Sequence, residues 1–580
     1  MPGLATRLLL ERGERGGAQV IPPTLQHSLA ARLDRLGPAR EVAQIGAVLG
    51  RDFGYPLLRD VAELDEPALQ ASLDRLAEAD LLLVEGTPPQ ANYRFKHALI
   101  QDAAYESLLK SRRQPLHRRA AELLRDDPER AAAEPEVIAH HFTEAGLDDL
   151  ATEWWGKAGD QALRRSAFQE AIVHLGKAIA MADKAEGSTP GDAAASAPGS
   201  QRLLKLQTSY SQAVMYFKGY SAGETKAAFA GALKLAVGKA DAAERFAAYT
   251  GIFNGSLVSG DLAPARQVAE TFRREAESEA RAPRLARACY CLGVTLLAQG
   301  DLAGARAQLE AALKIYDPDW DRETRLGAGP DVGAGARAFL AKASWLLGEV
   351  AEARELSEQA VARAIQSDHI PSRAVVYAYR ALLETLRGDA KALLPIAEAL
   401  VALSQEYGLA QYLAYGRMIC GWGRARLGNR EAGVREVRQG MAALADQGNK
   451  LYLPFFQARL AELESDIGEE GALTRVDDAL ALAGETGEHW SDSLLHRIRG
   501  EIRLKVDPAN AAPAEEAFRD AIAVAQAQKA RSFELQAALA LEKLYQSTDR
   551  AADAHAVLAP ALEGLSRRRR NCPRSKRRRR

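Results

Sequence analysis

Four cysteines in 580 residues, Cys289, Cys291, Cys420 and Cys572, form no CxxC pair or other metal-ligand spacing. This excludes zinc ribbons and dithiol redox centres of that pattern, and free thiols suit a reducing compartment. No run of about 18 apolar residues occurs, and the N-terminus has too little apolar length for a signal peptide or a membrane span. A cytoplasmic protein without membrane contact is expected. A phosphate-binding GxxxxGKS or GxxxxGKT loop is also missing, because Gly176-Lys177 and Gly238-Lys239 lack both the preceding glycine and the following Ser or Thr. With no GxSxG elbow and no HExxH pair either, the chain is expected to be catalytically inert, with no metal and no cofactor of its own.

What is present is a soluble composition, 47% apolar and 26% charged, in a chain too long for one ordinary core. The formal charge of −1 hides an asymmetry: Arg567 to Arg570, Arg574, Lys576 and Arg577 to Arg580 carry ten positive charges, and the remainder stands at −11. GC-rich codons for this tail, read in a neighbouring frame, give an acidic, helix-compatible ending. The stretch 566–580 is therefore read as a frameshifted tail, with a solvated tail and a nucleic-acid arm as alternatives.

Residues 1–20 are rich in Gly and Arg and read as a remnant of an upstream ATPase domain. From 21 to 126 a compact mixed module is expected. Thr24 opens a helix with Leu25, Leu29, Leu33 and Leu36 on one face; a second follows Pro38 and ends at Gly50. Leu57 to Ala62 is a short helix, and Asp65-Glu66-Pro67 opens another through Leu69, Leu73 and Leu76. Leu81 to Glu85 and Asn92 to Phe95, around Gly86-Thr87-Pro88-Pro89, read as a hairpin. Helices followed by a hairpin is the winged-helix order. DNA recognition is disfavoured, because the helix that would enter the groove carries Glu66, Asp74 and Glu78 against the single Arg75.

Beyond His97 the chain reads as helix upon helix. Residues 127–186 are expected to hold a connector, with the pair His140-His141, and a first helix-turn-helix repeat. Adjacent histidines lie about 100° apart on a helix, so one buried and one exposed is expected rather than a chelate. In the repeat, Trp155, Gly159, Ala171, Leu175 and Ala178 fall at tetratricopeptide positions, and Gly293, Ala305, Leu309 and Ala312 repeat that frame. After a Gly/Ala/Ser/Pro linker at 187–202, a superhelix is expected over 203–565. Its turn signals are Gly223-Glu224, Gly260-Asp261, Gly300-Asp301, Gly348-Glu349, Gly388-Asp389, Gly428-Asn429 and Gly468-Glu469, then Asp507-Pro508 and Thr548-Asp549. Asp319 to Gly335 reads as an inserted loop. The array predicts about ten helical pairs, longer than the usual repeat of about 34 residues, with an extended concave surface. Tyr377, Tyr379, Tyr412, Tyr415, Trp422, Tyr452, Phe455 and Phe456 cluster in its middle, either packing repeats together or recognising a peptide or small ligand.

Three ordered stretches, Ile21 to Leu36, Tyr93 to Tyr105 and Ala139 to Gly146, resemble the C-terminal half of bacterial STAND signalling ATPases. The resemblance is nearest to those joining a class III adenylate/guanylate cyclase domain to an AAA-like ATPase, a winged helix and tetratricopeptide repeats. It implies that the repeats sense a protein, peptide or small ligand, that the winged helix couples this to nucleotide state, and that ATP or ADP is bound only by an ATPase/cyclase half, joined or supplied in trans. His97 matches the histidine of the Met-His-Asp motif, which in related ATPases contacts the β-phosphate of ADP; the motif's aspartate is Ala98 here. A free-standing tetratricopeptide scaffold and a fragment of an ATP-dependent transcriptional regulator are the competing expectations.

Overall fold

The computed structural model describes residues 31–187, 197–236, 242–278, 282–319 and 329–571. Two compact units emerge, one comprising the chain up to Ala162 with Glu170–Leu206, the other Leu163–Gln169 with the chain from Gln207 on.

In the first unit the sequence punctuation acts as expected. α1 (Ala39–Leu49) buries Val42, Ile45 and Val48 and stops where Gly50 takes a positive φ. α2 (Tyr55–Ala62) and α3 (Glu66–Glu78) follow, the latter capped by Asp65, whose carboxylate accepts from Ala68 N, with Leu69, Leu73 and Leu76 fully buried. The hairpin forms from β2 (Leu82–Glu85) and β3 (Asn92–Phe95), with Leu82 opposite Phe95. A further strand, β1 (Asp52–Gly54), pairs antiparallel with β3 and gives a sheet of order β1-β3-β2. Three residues are too few for an alternation signal. β1 exists because Phe53 packs on Tyr93 and Phe95, with ring centroids 5.9 and 5.8 Å away.

α4 (Ala98–Glu106), α5 (Lys110–Asp126), α6 (Pro128–Ala133) and α7 (Pro135–Glu144) then lead to the antiparallel pair α8 (Asp148–Arg164) and α9 (Phe168–Gly187). Gly159 faces Leu175 so closely that a Cβ there would lie 2.4 Å from its side chain, which is the close approach the repeat frame predicts.

The remaining helices come as nine consecutive pairs among the described residues. They are α10 (Ala197–Lys218) with α11 (Gly223–Ala236), α12 (Ala242–Val258) with α13 (Leu262–Ser278), and α14 (Ala282–Ala298) with α15 (Leu302–Ile315). Next come α16 (Val332–Leu346) with α17 (Val350–Gln366), α18 (Ile370–Arg387) with α19 (Ala390–Tyr407), and α20 (Ala410–Arg426) with α21 (Arg430–Asp446). The last are α22 (Leu453–Asp466) with α23 (Ala472–Thr486), α24 (Asp492–Val506) with α25 (Ala512–Gln528), and α26 (Arg531–Ser547) with α27 (Ala551–Asn571). With α8–α9 of the first unit this makes ten helical pairs among the described residues, and the fold is mainly α and tetratricopeptide-like. α18 and α19 run for 18 residues each, the lengthening that a 40-residue spacing requires.

The turns within pairs share one chemistry. Gly260, Gly300, Gly348, Gly388, Gly428 and Gly468 all have positive φ, and the N–H of the following residue bonds back to a carbonyl five positions earlier, as in Asp301 N to Leu296 O at 2.9 Å. Asp301 and Asp389 then cap the second helix.

Four expectations are corrected. The first-pair turn is made by Gly219 (φ 107), while Gly223 and Glu224 already belong to α11. α10 begins at Ala197, inside the stretch read as linker, with Pro198 in its first turn, where a missing N–H costs nothing. Helix α27 continues to Asn571, inside the stretch read as tail, and 572–580 lie outside the described residues, as do 1–30. Finally, Val332 to Gly335 are helical rather than loop: Asp331 caps α16 by accepting from Ala334 N at 2.7 Å. Gly333 and Gly335 are small because the rings of Tyr316 and Tyr290 press on them. Residues 320–328 of that expected loop lie outside the described residues.

Glycine is also required where helices meet backbone to backbone. A Cβ on Gly433 would lie 2.4 Å from Gly421 O, whereas one on Gly484 would meet nothing within 4 Å. Overpacking costs about 1–3 kcal/mol and exceeds the roughly 1 kcal/mol that Ala gains over Gly in a helix. Gly433→Ala should therefore lower the melting temperature and Gly484→Ala raise it, opposite shifts that calorimetry can read on the two variants.

Candidate functional site

The superhelix of the second unit returns on itself after five pairs. Lys450 N and Leu451 N, ahead of α22, donate to Val258 O at the end of α12, at 2.9 and 3.1 Å. Trp490 N, ahead of α24, donates to Ala298 O at the end of α14 at 3.2 Å. Ser532 Oγ on α26 donates to Trp345 O on α16, and Ser221 Oγ to Gln447 O. The acceptors Val258, Ala298 and Trp345 are carbonyls of last turns, which lack partners within their own helices.

Inside this closure lies a cavity of about 740 Å³ of atom-free space, its open mouth included, of which about 70 Å³ is reachable by the centre of a water molecule. The first helices of six successive pairs, α12 to α22, each supply part of the wall. Helical spacing does this: Val375, Ala378, Tyr379 and Leu382 on α18, and Tyr412, Tyr415 and Ile419 on α20, are stripes at i, i+3, i+4 and i+7. Burial pushes the phenols of Tyr220, Tyr290, Tyr379, Tyr412, Tyr415 and Tyr452 above their ordinary range, so they are neutral donors. Among the described residues, none that lines the wall carries a formal charge.

The structure sorts the clustered aromatics. Tyr379, Tyr412, Tyr415, Tyr452 and Phe456 line the cavity. Phe455 and Trp422 instead pack around the buried Arg459, whose guanidinium carbon is 5.4 Å from each ring. Sequence reasoning missed the polar knot behind Tyr452. Lys342 is 1% exposed, with Nζ 3.2 Å from the Trp490 ring centroid and 3.1 Å from Tyr452 Oη. Burial lowers its amine well below the usual lysine range. Glu488, fully buried, accepts from Tyr452 N at 2.9 Å and Trp490 Nε1 at 2.7 Å, and burial raises its carboxyl to about 7 despite these donors and the Lys342 charge. The signal was available: Lys342 is the lone charge in the apolar run Phe339 to Leu347.

In the first unit, His97 is the N-cap residue of α4, exposed, in extended conformation and without a side-chain capping bond. His141 is buried, and half-buried His140 meets the ring of His117 edgewise with centroids 6.0 Å apart, so the expected exposed partner is instead part of a cluster. His141 Nδ1 and His117 Nδ1 are 2.8 Å apart, His117 Nε2 reaches Tyr105 Oη at 3.0 Å, and Tyr105 donates to Glu144 at 3.2 Å. Burial, followed by the neighbouring His117, holds His141 well below the usual histidine range. Among the described residues no cluster suited to a metal ion is found, and no helix is long and apolar enough to cross a membrane. Asp65, Glu66, Asp74 and Glu78 on and beside α3 are exposed, an anionic surface unsuited to DNA.

No protein-family model matches the chain. The chain is 25% identical over 523 residues to an uncharacterized protein, R02095, of Rhizobium meliloti (strain 1021), covering 89% of this chain and 50% of that relative, and so spans half the relative's length. Similar solved structures include a Rap protein complexed with Competence and Sporulation Factor, at 12% identity and TM-score 0.45, covering 63% of this chain and 99% of that one. A STAND protein with a tetratricopeptide repeat sensor from Pyrococcus horikoshii aligns at 11% identity and TM-score 0.29, covering 91% and 63%. The APC/C hetero-tetramer Cut9-Hcn1 aligns at 12% and 0.42, covering 75% and 84%.

Glu488 titrates higher in the fold than in the unfolded chain, so its contribution to stability is complete below about 4.5 and is lost as pH rises through about 7. Lys342 acts with the opposite sign, and comparison with Glu488→Gln at each pH isolates the carboxyl. Across that window wild type should lose on the order of 3 kcal/mol relative to Glu488→Gln, read by urea unfolding.

Proposed function

We propose that the chain is the sensor half of a STAND-type signalling ATPase, most like those joined to class III cyclase domains. The solenoid binds a protein, peptide or small ligand, and the first unit acts as a winged-helix coupling domain. The observation that carries this reading is the cavity enclosed by six successive pairs and held by backbone bonds five pairs apart. A ligand lodged there touches most of the array at once, and a change at Tyr452 or Leu451 reaches the bonds to Val258 directly. Such an element can take two arrangements whose balance a ligand shifts.

The order α1-β1-α2-α3-β2-β3 supports the winged-helix reading of the first unit. His97 lies where β3 gives way to the N-terminus of α4, a position favourable to anions, and its exposed imidazole is free to meet the phosphate of ATP or ADP held by an ATPase domain. A free-standing tetratricopeptide scaffold for protein partners is the second reading, supported by the superhelical repeats alone.

In a protein carrying both halves, His97→Ala should weaken ADP retention and raise basal output; unchanged ADP affinity would reduce the residue to a structural one. Ala378→Trp, which fills the cavity from α18, should abolish the response to ligand while leaving ADP binding intact. A full response in that variant would transfer sensing to another surface.

A further inference from the structure

The residues that line the cavity of the second unit include buried polar atoms that the fold leaves unsatisfied. Gln411 is 6% exposed, yet its Oε1 accepts no hydrogen bond, and Asn254 Nδ2 donates none. Both residues line the cavity. Buried polar atoms are almost always paired in folded proteins, because leaving one bare costs stability. An orphaned acceptor and an orphaned donor in the wall of an open space point to a partner supplied from outside.

The rest of the wall defines that partner. Neighbouring hydroxyls are occupied, Tyr415 donating to Leu451 O at 3.1 Å and Tyr412 reaching Tyr220 Oη at 3.5 Å. Around them the described residues are aliphatic or aromatic and carry no formal charge. A charged ligand would therefore be desolvated without a counter-ion. Size decides between a peptide and a small molecule: about 70 Å³ reachable by water centres, at about 10–15 Å³ for each water, holds roughly five to seven waters. That is too little for a helix or an extended peptide segment.

Resting on the ligand-sensing reading above, we infer that this cavity binds a small uncharged molecule with a flat apolar body and an amide-like donor and acceptor. Its N–H is given to Gln411 Oε1, and its oxygen receives Asn254 Nδ2–H. Flat rings find stacking and edge contacts on Tyr290, Tyr379 and Tyr412.

Four probes of one size separate charge from shape on the full chain: benzamide, the anion benzoate, the cation benzamidine, and toluene, which lacks the polar pair. Titration calorimetry should give benzamide an affinity at least about tenfold above each of the others, the worth of one well-made hydrogen bond. Gln411→Leu should erase the preference of benzamide over toluene, leave toluene binding within about twofold, and hold or raise the ligand-free melting temperature, since an orphan acceptor is removed. Asn254→Leu is the second variant and should weaken benzamide in the same way. Benzoate or benzamidine binding as tightly as benzamide, or a preference unchanged in both variants, overturns the inference. Toluene binding with no preference for benzamide also overturns it but keeps the cavity as a ligand site. Failure of all four probes, with a ligand response surviving in Ala378→Trp, would overturn the inference and place sensing on a surface other than this cavity.

Discussion

The second unit depends on a few backbone hydrogen bonds between turns of chain five helical pairs apart. In an open solenoid each pair contacts only its neighbours, and the array behaves as a one-dimensional stack. Here Val258 O and Ala298 O, carbonyls at helix ends that would otherwise face water, receive the N–H groups of Lys450, Leu451 and Trp490. These bonds turn a stack into a closed body, and the enclosed cavity is their consequence. The turn glycines serve the same end: Gly260 supplies a left-handed turn, and a Cβ there would lie 2.7 Å from the Thr486 side chain.

Closure and cavity share residues. Tyr452 lines the cavity, gives its backbone N–H to Glu488, and accepts at its hydroxyl from Lys342 Nζ. Glu488 also holds Trp490, whose own backbone bonds to Ala298. A displacement of one tyrosine ring is thus felt by a buried amine, a buried carboxyl and two of the bonds that shut the superhelix. Buried ionisable groups are seldom kept for stability, since apolar residues of like volume pack as well.

Much of this was legible in the sequence because its causes are local. A Gly-Asp pair makes a turn wherever it stands, small residues at Gly159 and Gly293 admit a facing leucine, and Asp65 caps α3 from the adjacent position. Strand β1 was invisible because three residues carry no period, and its formation depends on Phe53 meeting Tyr93 and Phe95 some forty residues later. Gly333 and Gly335 misled for a related reason. Glycine marks both a loop and a tight helix contact, and only the positions of Tyr316 and Tyr290 distinguish the two.

By itself, then, the sequence determined the helical pairs, their turns, and the concentration of tyrosines in the middle of the array, all written in spacings of a few to forty residues. Tertiary structure alone decided which tyrosines face inward, that Gln411 and Asn254 share their cavity, and that Lys342 and Glu488 are buried together. Those outcomes follow from the angle at which each pair stacks on the last. Small rotations accumulate over five pairs until distant chain segments meet, and no local pattern records their sum.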